Sequence, residues 1–154
     1  METRQYPVGS FGVFKPRYVN GVLVLPGVPR HLRVRATTAQ VNAGVVILPA
    51  LPGFGYRIVD AAMIAVGGAA TTNTSVDLLG TKAATASRPL VIAVAALTQS
   101  TLVRAGASNA VILADGASFT RHDANTALSV TIQSGGSSMT VATAIDVLLT
   151  YVVE

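Results

Sequence analysis

The chain has 154 residues, with 11 Lys and Arg, 7 Asp and Glu, and no Cys, a length that fits one domain with a core of its own. The absence of Cys excludes disulfides, thiolate chemistry and Cys-ligated metals. Only 12% of the residues are charged while 51% are hydrophobic, a composition suited to a protein whose faces are covered by neighbours.

Membrane insertion is not expected. The longest apolar stretch, Pro89–Leu97, falls far short of the ~20 residues that span a bilayer as a helix. The N-terminus carries Pro7, Gly9, Gly12 and Pro16 in place of an apolar signal region. Aromatic residues are 5% of the chain, too few for the girdles of an outer-membrane barrel.

Charge divides the chain. Arg4, Lys15, Arg17, Arg30, Arg33 and Arg35 stand against Glu2 alone in residues 1–35, and the remainder is close to neutral. Pro7, Pro16, Pro26 and Pro29 lie in the same segment, with Tyr6, Phe11, Phe14 and Tyr18 spaced along it. The prolines forbid a long helix, although Gly21–Leu25 could form a short strand. Residues 1–35 are therefore expected to be an extended basic arm, and residues 36–154 the folded domain. Arg4, Tyr6, Phe11, Phe14, Lys15, Arg17 and Tyr18 are its candidate partner-binding residues, because basic charge with aromatic anchors suits recognition hot spots. The same segment could instead lie along its own domain.

The remainder reads as short strands. Val45–Leu48 is a β-branched run ended by Pro49, and Leu51–Gly55 is a loop by its Pro and Gly. Tyr56–Val66 follows, contributing Tyr56, Ile58, Met63 and Val66 to the core, and breaks at Gly67-Gly68. Its imperfect alternation predicts a bulge or two covered faces. Ser75–Leu79 alternates until Gly80. Pro89–Leu97 has β-branched residues that favour strand and alanines that allow a short helix. Thr101–Arg104 and Ala110–Leu113 are short strands, with Asp115-Gly116 as a turn. Leu128–Ile132 alternates cleanly up to a turn at Gly135-Gly136. Thr140–Val153 closes the chain, with Val147, Leu149, Tyr151 and Val153 on one face. About eight strands, turn signals every 8–12 residues and no standard amphipathic helix predict an all-β, jelly-roll-like antiparallel sandwich.

Chemistry finds little support. His31 sits among arginines, which disfavour a metal or a proton. Ser118, His122 and Asp123 are the right residue types for a triad, but adjacent strand residues point to opposite faces and no nucleophile elbow is present; a solvated loop is the expected setting. Asp60 and Asp146 interrupt apolar strands and need partners such as Arg57 or Arg104. Asn73-Thr74-Ser75 matches a glycosylation sequon, a pattern common by chance. No phosphate-binding glycine motif and no metal-loop spacing occurs. The chain is expected to be non-enzymatic, with no catalytic residue, metal or cofactor. Nucleic acid is not the expected partner, because the folded part shows no basic stripe.

Thr37–Gly44, Val45–Pro49, Pro52–Gly55 and Tyr56–Asp60, followed by Ala114–Phe119 and Asp146–Val153, resemble the jelly-roll cement, or decoration, proteins of tailed-bacteriophage capsids. The resemblance covers about residues 37–153 and leaves out the N-terminal segment. It implies a structural virion protein on the outer capsid surface, bound to the major capsid protein and to itself as a dimer or trimer. Such a protein stabilises the mature shell by mass action and multivalency. A carbohydrate-binding or adhesive sandwich module on a virion surface is the alternative.

Overall fold

Val45-Val46-Ile47-Leu48 becomes a strand because its β-branched side chains fit a pleated, half-buried surface, and Pro49 ends it. The same logic runs through the computed structural model, which describes residues 17–19, 22–133 and 137–154. The described strands are β1 (Arg17–Val19), β2 (Val22–Val24), β3 (Arg30–Thr37), β4 (Val45–Leu48), β5 (Tyr56–Val66), β6 (Ala70–Thr71), β7 (Ser75–Lys82), β8 (Thr85–Ala93), β9 (Val103–Arg104), β10 (Ala110–Ile112), β11 (Leu128–Ile132), β12 (Thr140–Val141) and β13 (Ala144–Val153). Among the described residues, strand accounts for 53% and helix for 12%, which places the chain in the all-β class.

The order β3-β13-β5-β9 makes one antiparallel sheet and β10-β8-β7-β11-β4 the other. With β3, β4, β5, β7, β8, β9, β11 and β13 counted as strands one to eight, the sheets read 1-8-3-6 and 2-7-4-5. That is the connectivity of a jelly roll: among these strands, successive connections cross the sandwich at every step except the β7–β8 hairpin. Ala61, Met63, Ile145, Val147 and Leu149 of the first sheet face the interior, and Val76, Leu78, Leu90, Ile92, Leu128 and Val130 of the second join the same buried core.

Pro89–Leu97 resolves both ways: β8 runs to Ala93, and Val94–Ala96 then closes a 3₁₀ turn whose Val94 and Leu97 are buried. Gly80 does not stop β7 as expected. It sits where the register with β8 shifts, and the strand continues to Lys82. A Cβ there would come within 2.4 Å of His122 Nδ1 and 2.7 Å of Leu128 Cδ2, so only glycine fits without repacking. Val147, Leu149 and Val153 are buried as expected. A bulge between Thr150 and Tyr151 lets Val152 be buried as well, and it leaves Tyr151 half-buried, edge-on to Tyr56 with ring centroids 5.7 Å apart.

One helix, α1 (Thr38–Ala43), was not expected. Thr37 and Gln40 form a capping box at its start, and Gly44 at φ +81° ends it. Asn42 anchors it by donating to the Met139 carbonyl and accepting from the Met139 N–H, at 3.1 and 2.8 Å.

The expected boundary after residue 35 falls inside a strand. β3 pairs residue by residue with β13 from Arg30 to Thr37, and Val24 is already buried in the core. Basic side chains occupy a sandwich strand here because Leu32, Val34 and Ala36 alternate with them toward the interior. The Gly135-Gly136 turn lies outside the described residues.

Candidate protein-interaction surface

The two outer sheet faces differ in chemistry. On the five-stranded sheet, Val46 of β4 and Val111 of β10 are 56% and 65% exposed, with Val91 half-buried beside Val111. Ser75, Asp77, Ser129 and Thr131 complete the middle of this face. Asp77 is fully buried there: Ser75 Oγ donates to it at 2.6 Å, and Arg88 at 2.7 Å. A buried carboxylate survives because both oxygens are satisfied and its charge is paired. The pair cancels, so the face carries almost no net charge. A shallow cleft of about 310 Å³ opens over it, lined by Arg88, Val91, Val111, Asn109 and Gln133.

The outer face of the four-stranded sheet is ionic. Arg35 donates to both oxygens of Asp146, at 2.7 and 2.9 Å, and Arg33 adds a third contact at 2.6 Å. Asp146 is 2% exposed. The Arg35 hydrogen bond, with the help of Arg33, holds its carboxyl down from 3.8 to about 2, against the opposing effect of burial. Arg104 pairs with Asp60 at 3.1 Å. Asp60 thus has one of the partners expected for it, whereas Asp146 is held by arginines that had been assigned to the arm. Arg33, Arg35 and Arg104 on one sheet face also correct the expectation that the folded part has no basic stripe. His31 belongs to this face as well, its Nδ1 3.0 Å from Thr150 Oγ1.

Ser118, His122 and Asp123 do not assemble. Ser118 Oγ donates to the Pro89 carbonyl and accepts from the Leu113 N–H, at 2.6 and 2.8 Å. Asp123 accepts from the N–H groups of Ala83 and Ala84, at 3.0 and 2.8 Å. The setting is not a solvated loop either, because Ser118 and His122 are both buried. Neither ring nitrogen of His122 makes a hydrogen bond of good geometry. Burial first, then the nearby Lys82 charge, lowers its pKa below 6.5, while the Thr81 carbonyl and Asp123 act in the opposite sense.

Of the arm residues, Arg17 and Tyr18 fall in β1, which pairs antiparallel with β2. Arg4, Tyr6, Phe11, Phe14 and Lys15 lie outside the described residues. Among the described residues no cluster of His, Asp and Glu could hold a metal ion, and no helix is long and apolar enough to cross a membrane. No protein-family model, no curated protein and no solved structure matches the chain.

Proposed function

We propose that the chain is a structural virion protein that binds the outer surface of a bacteriophage capsid and cements neighbouring capsomers. The observation that carries this reading is the nearly charge-free outer face of the five-stranded sheet, with Val46 and Val111 exposed on it. A face with so little charge and with apolar side chains exposed at both edges is inexpensive to desolvate, which suits it to a contact surface. The resemblance of residues 37–60, 114–119 and 146–153 to cement proteins supports it, as does the strand order of the two sheets. Function then follows from mass action: many copies that bind only the mature lattice stabilise that lattice. Self-association, as a dimer or trimer, would cover one of the two faces. The cleft over the five-stranded sheet has no aromatic ring in its lining, so it offers the glycan-binding alternative no stacking platform there.

The test is co-sedimentation of the purified chain with expanded, undecorated shells of the capsid protein encoded with it. Saturable pelleting at a fixed ratio of copies per capsomer is expected, with a rise in the temperature at which the shells come apart. Val111→Glu should weaken pelleting without changing the circular dichroism of the free protein. Absence of pelleting by the full chain would refute the reading.

A further inference from the structure

We propose that the outer face of the β3-β13-β5-β9 sheet docks an acidic protein surface, seating one apolar side chain between its carboxylates. The register aligns four residues in a row across the sheet. Arg33 lies opposite Leu148, Leu148 opposite Ala62, and Ala62 opposite Arg104. Strand spacing of ~4.8 Å puts the two arginine-bearing strands about 14 Å apart, room for one extended segment. Between them lies a cleft of about 460 Å³ with Leu148 and Ala62 in its lining. Leu148 is exposed and Ala62 is buried beneath it.

The walls are cationic and accessible. The Arg33 and Arg104 side chains are 68% and 66% exposed. Each spends part of its guanidinium on a carboxylate of the sheet, Arg33 on Asp146 and Arg104 on Asp60. A guanidinium has five donors in a planar fork, so each can also take a partner carboxylate. The face counts three arginines against Asp60 and Asp146, leaving it positive whatever the state of His31.

A protein partner fits this face better than a nucleic acid. Asp60 is 40% exposed beside Arg104 and would repel a phosphate backbone. One net positive charge supports little of the counterion release on which nucleic-acid binding depends. The Leu148 floor has no use for a phosphate, whereas it suits a Leu or Val flanked by acidic residues. This deepens the proposed function by naming a second contact surface and its partner's chemistry, and it rests on that reading for the partner's place in the virion.

The probes are a blocked Asp-Glu-Leu-Asp-Glu peptide, its Asn/Gln counterpart and a short DNA duplex. Each is titrated into the isotope-labelled full chain and followed by amide chemical shifts. The acidic peptide should produce saturable shifts at Arg33, Ala62, Arg104 and Leu148, with the amide counterpart about tenfold weaker. Arg33→Glu with Arg104→Glu should abolish those shifts. Arg35 is kept in this variant to hold Asp146, and Arg33→Gln with Arg104→Gln replaces it if the fold is lost. No saturable shift at this face, or equal shifts with the duplex, overturns the proposal. Shell pelleting separates it from the broader reading. If shells bind the wild type and the double variant equally, this surface is wrong while the cement reading stands. If the wild type ignores shells but its face still takes the acidic peptide, the cement reading fails and the surface stands.

Discussion

Replacing Asp146 with Asn removes one negative charge from a buried site and leaves its shape. In the folded chain that charge takes three hydrogen bonds, two from Arg35 and one from Arg33. Its pKa falls from 3.8 to about 2, which corresponds to roughly 2 kcal/mol of stability at neutral pH. Asp146→Asn should therefore cost about 2 kcal/mol at pH 7, or about 4–8 °C in melting temperature for a chain of this size. The sign with pH follows from the direction of the shift. The folded carboxyl is the stronger acid, so the unfolded chain takes up the proton first as pH falls. The contribution is full well above 3.8 and is lost as pH drops from there toward about 2. Urea unfolding of wild type and variant, followed by circular dichroism at a series of pH values, measures this directly. The gap between the two should shrink to a few tenths of a kcal/mol near pH 2. Arg35→Ala should cost more than Arg33→Ala, because Arg35 supplies two of the three bonds. A gap under about 0.5 kcal/mol at pH 7, the usual scale of a neutral surface change, would refute the reasoning, as would a gap that ignores pH.

Three further outcomes concern the end of the sandwich around His122. The β7–β8 hairpin turns through Ala83 and Ala84 at φ +49° and +58°, a conformation that favours Asn-Gly; Ala83→Asn with Ala84→Gly should stabilise by about 1–2 kcal/mol. Asp123→Ala, which leaves both turn N–H groups without their carboxylate, should destabilise by about 1–2 kcal/mol, and unchanged urea midpoints for both variants would dismiss this account of the turn. His122 is held neutral in the folded state, so its contribution is present above 6.5 and declines as pH falls below that value. His122→Leu should flatten the stability profile between neutral and mildly acidic pH, and parallel profiles for the two proteins would assign the acid sensitivity elsewhere.

Much of the fold was legible because period-two alternation reports which face of a strand is covered. Leu128–Ile132 and Val45–Leu48 become strands over their expected spans, and Asp115-Gly116 turns with both residues at positive φ. α1 carries a readable signal in its Thr37–Gln40 capping box, but its six residues are too few to show a helical period. β3 was missed for another reason. Its arginines were grouped by charge with the prolines before them, although Leu32, Val34 and Ala36 alternate with Arg33 and Arg35 as in any half-buried strand. Sorting by charge hid the period, and with it the basic face of the fold.

The all-β class, the absence of thiol chemistry and the need of Asp60 and Asp146 for cationic partners are all readable along the chain. These depend on composition and on local pattern, which neighbours along the chain already contain. The folded arrangement alone settles which cations those partners are. Arg33 and Arg35 reach Asp146 across 113 and 111 residues, a pairing created by the register of β3 against β13. It also decided that His122 is buried against Gly80 and Leu128, and that Asp77 lies fully buried under Arg88 on an otherwise uncharged face. Burial and pairing of this kind depend on which strands become neighbours. That is settled by packing the two sheets together, and no single segment carries the information.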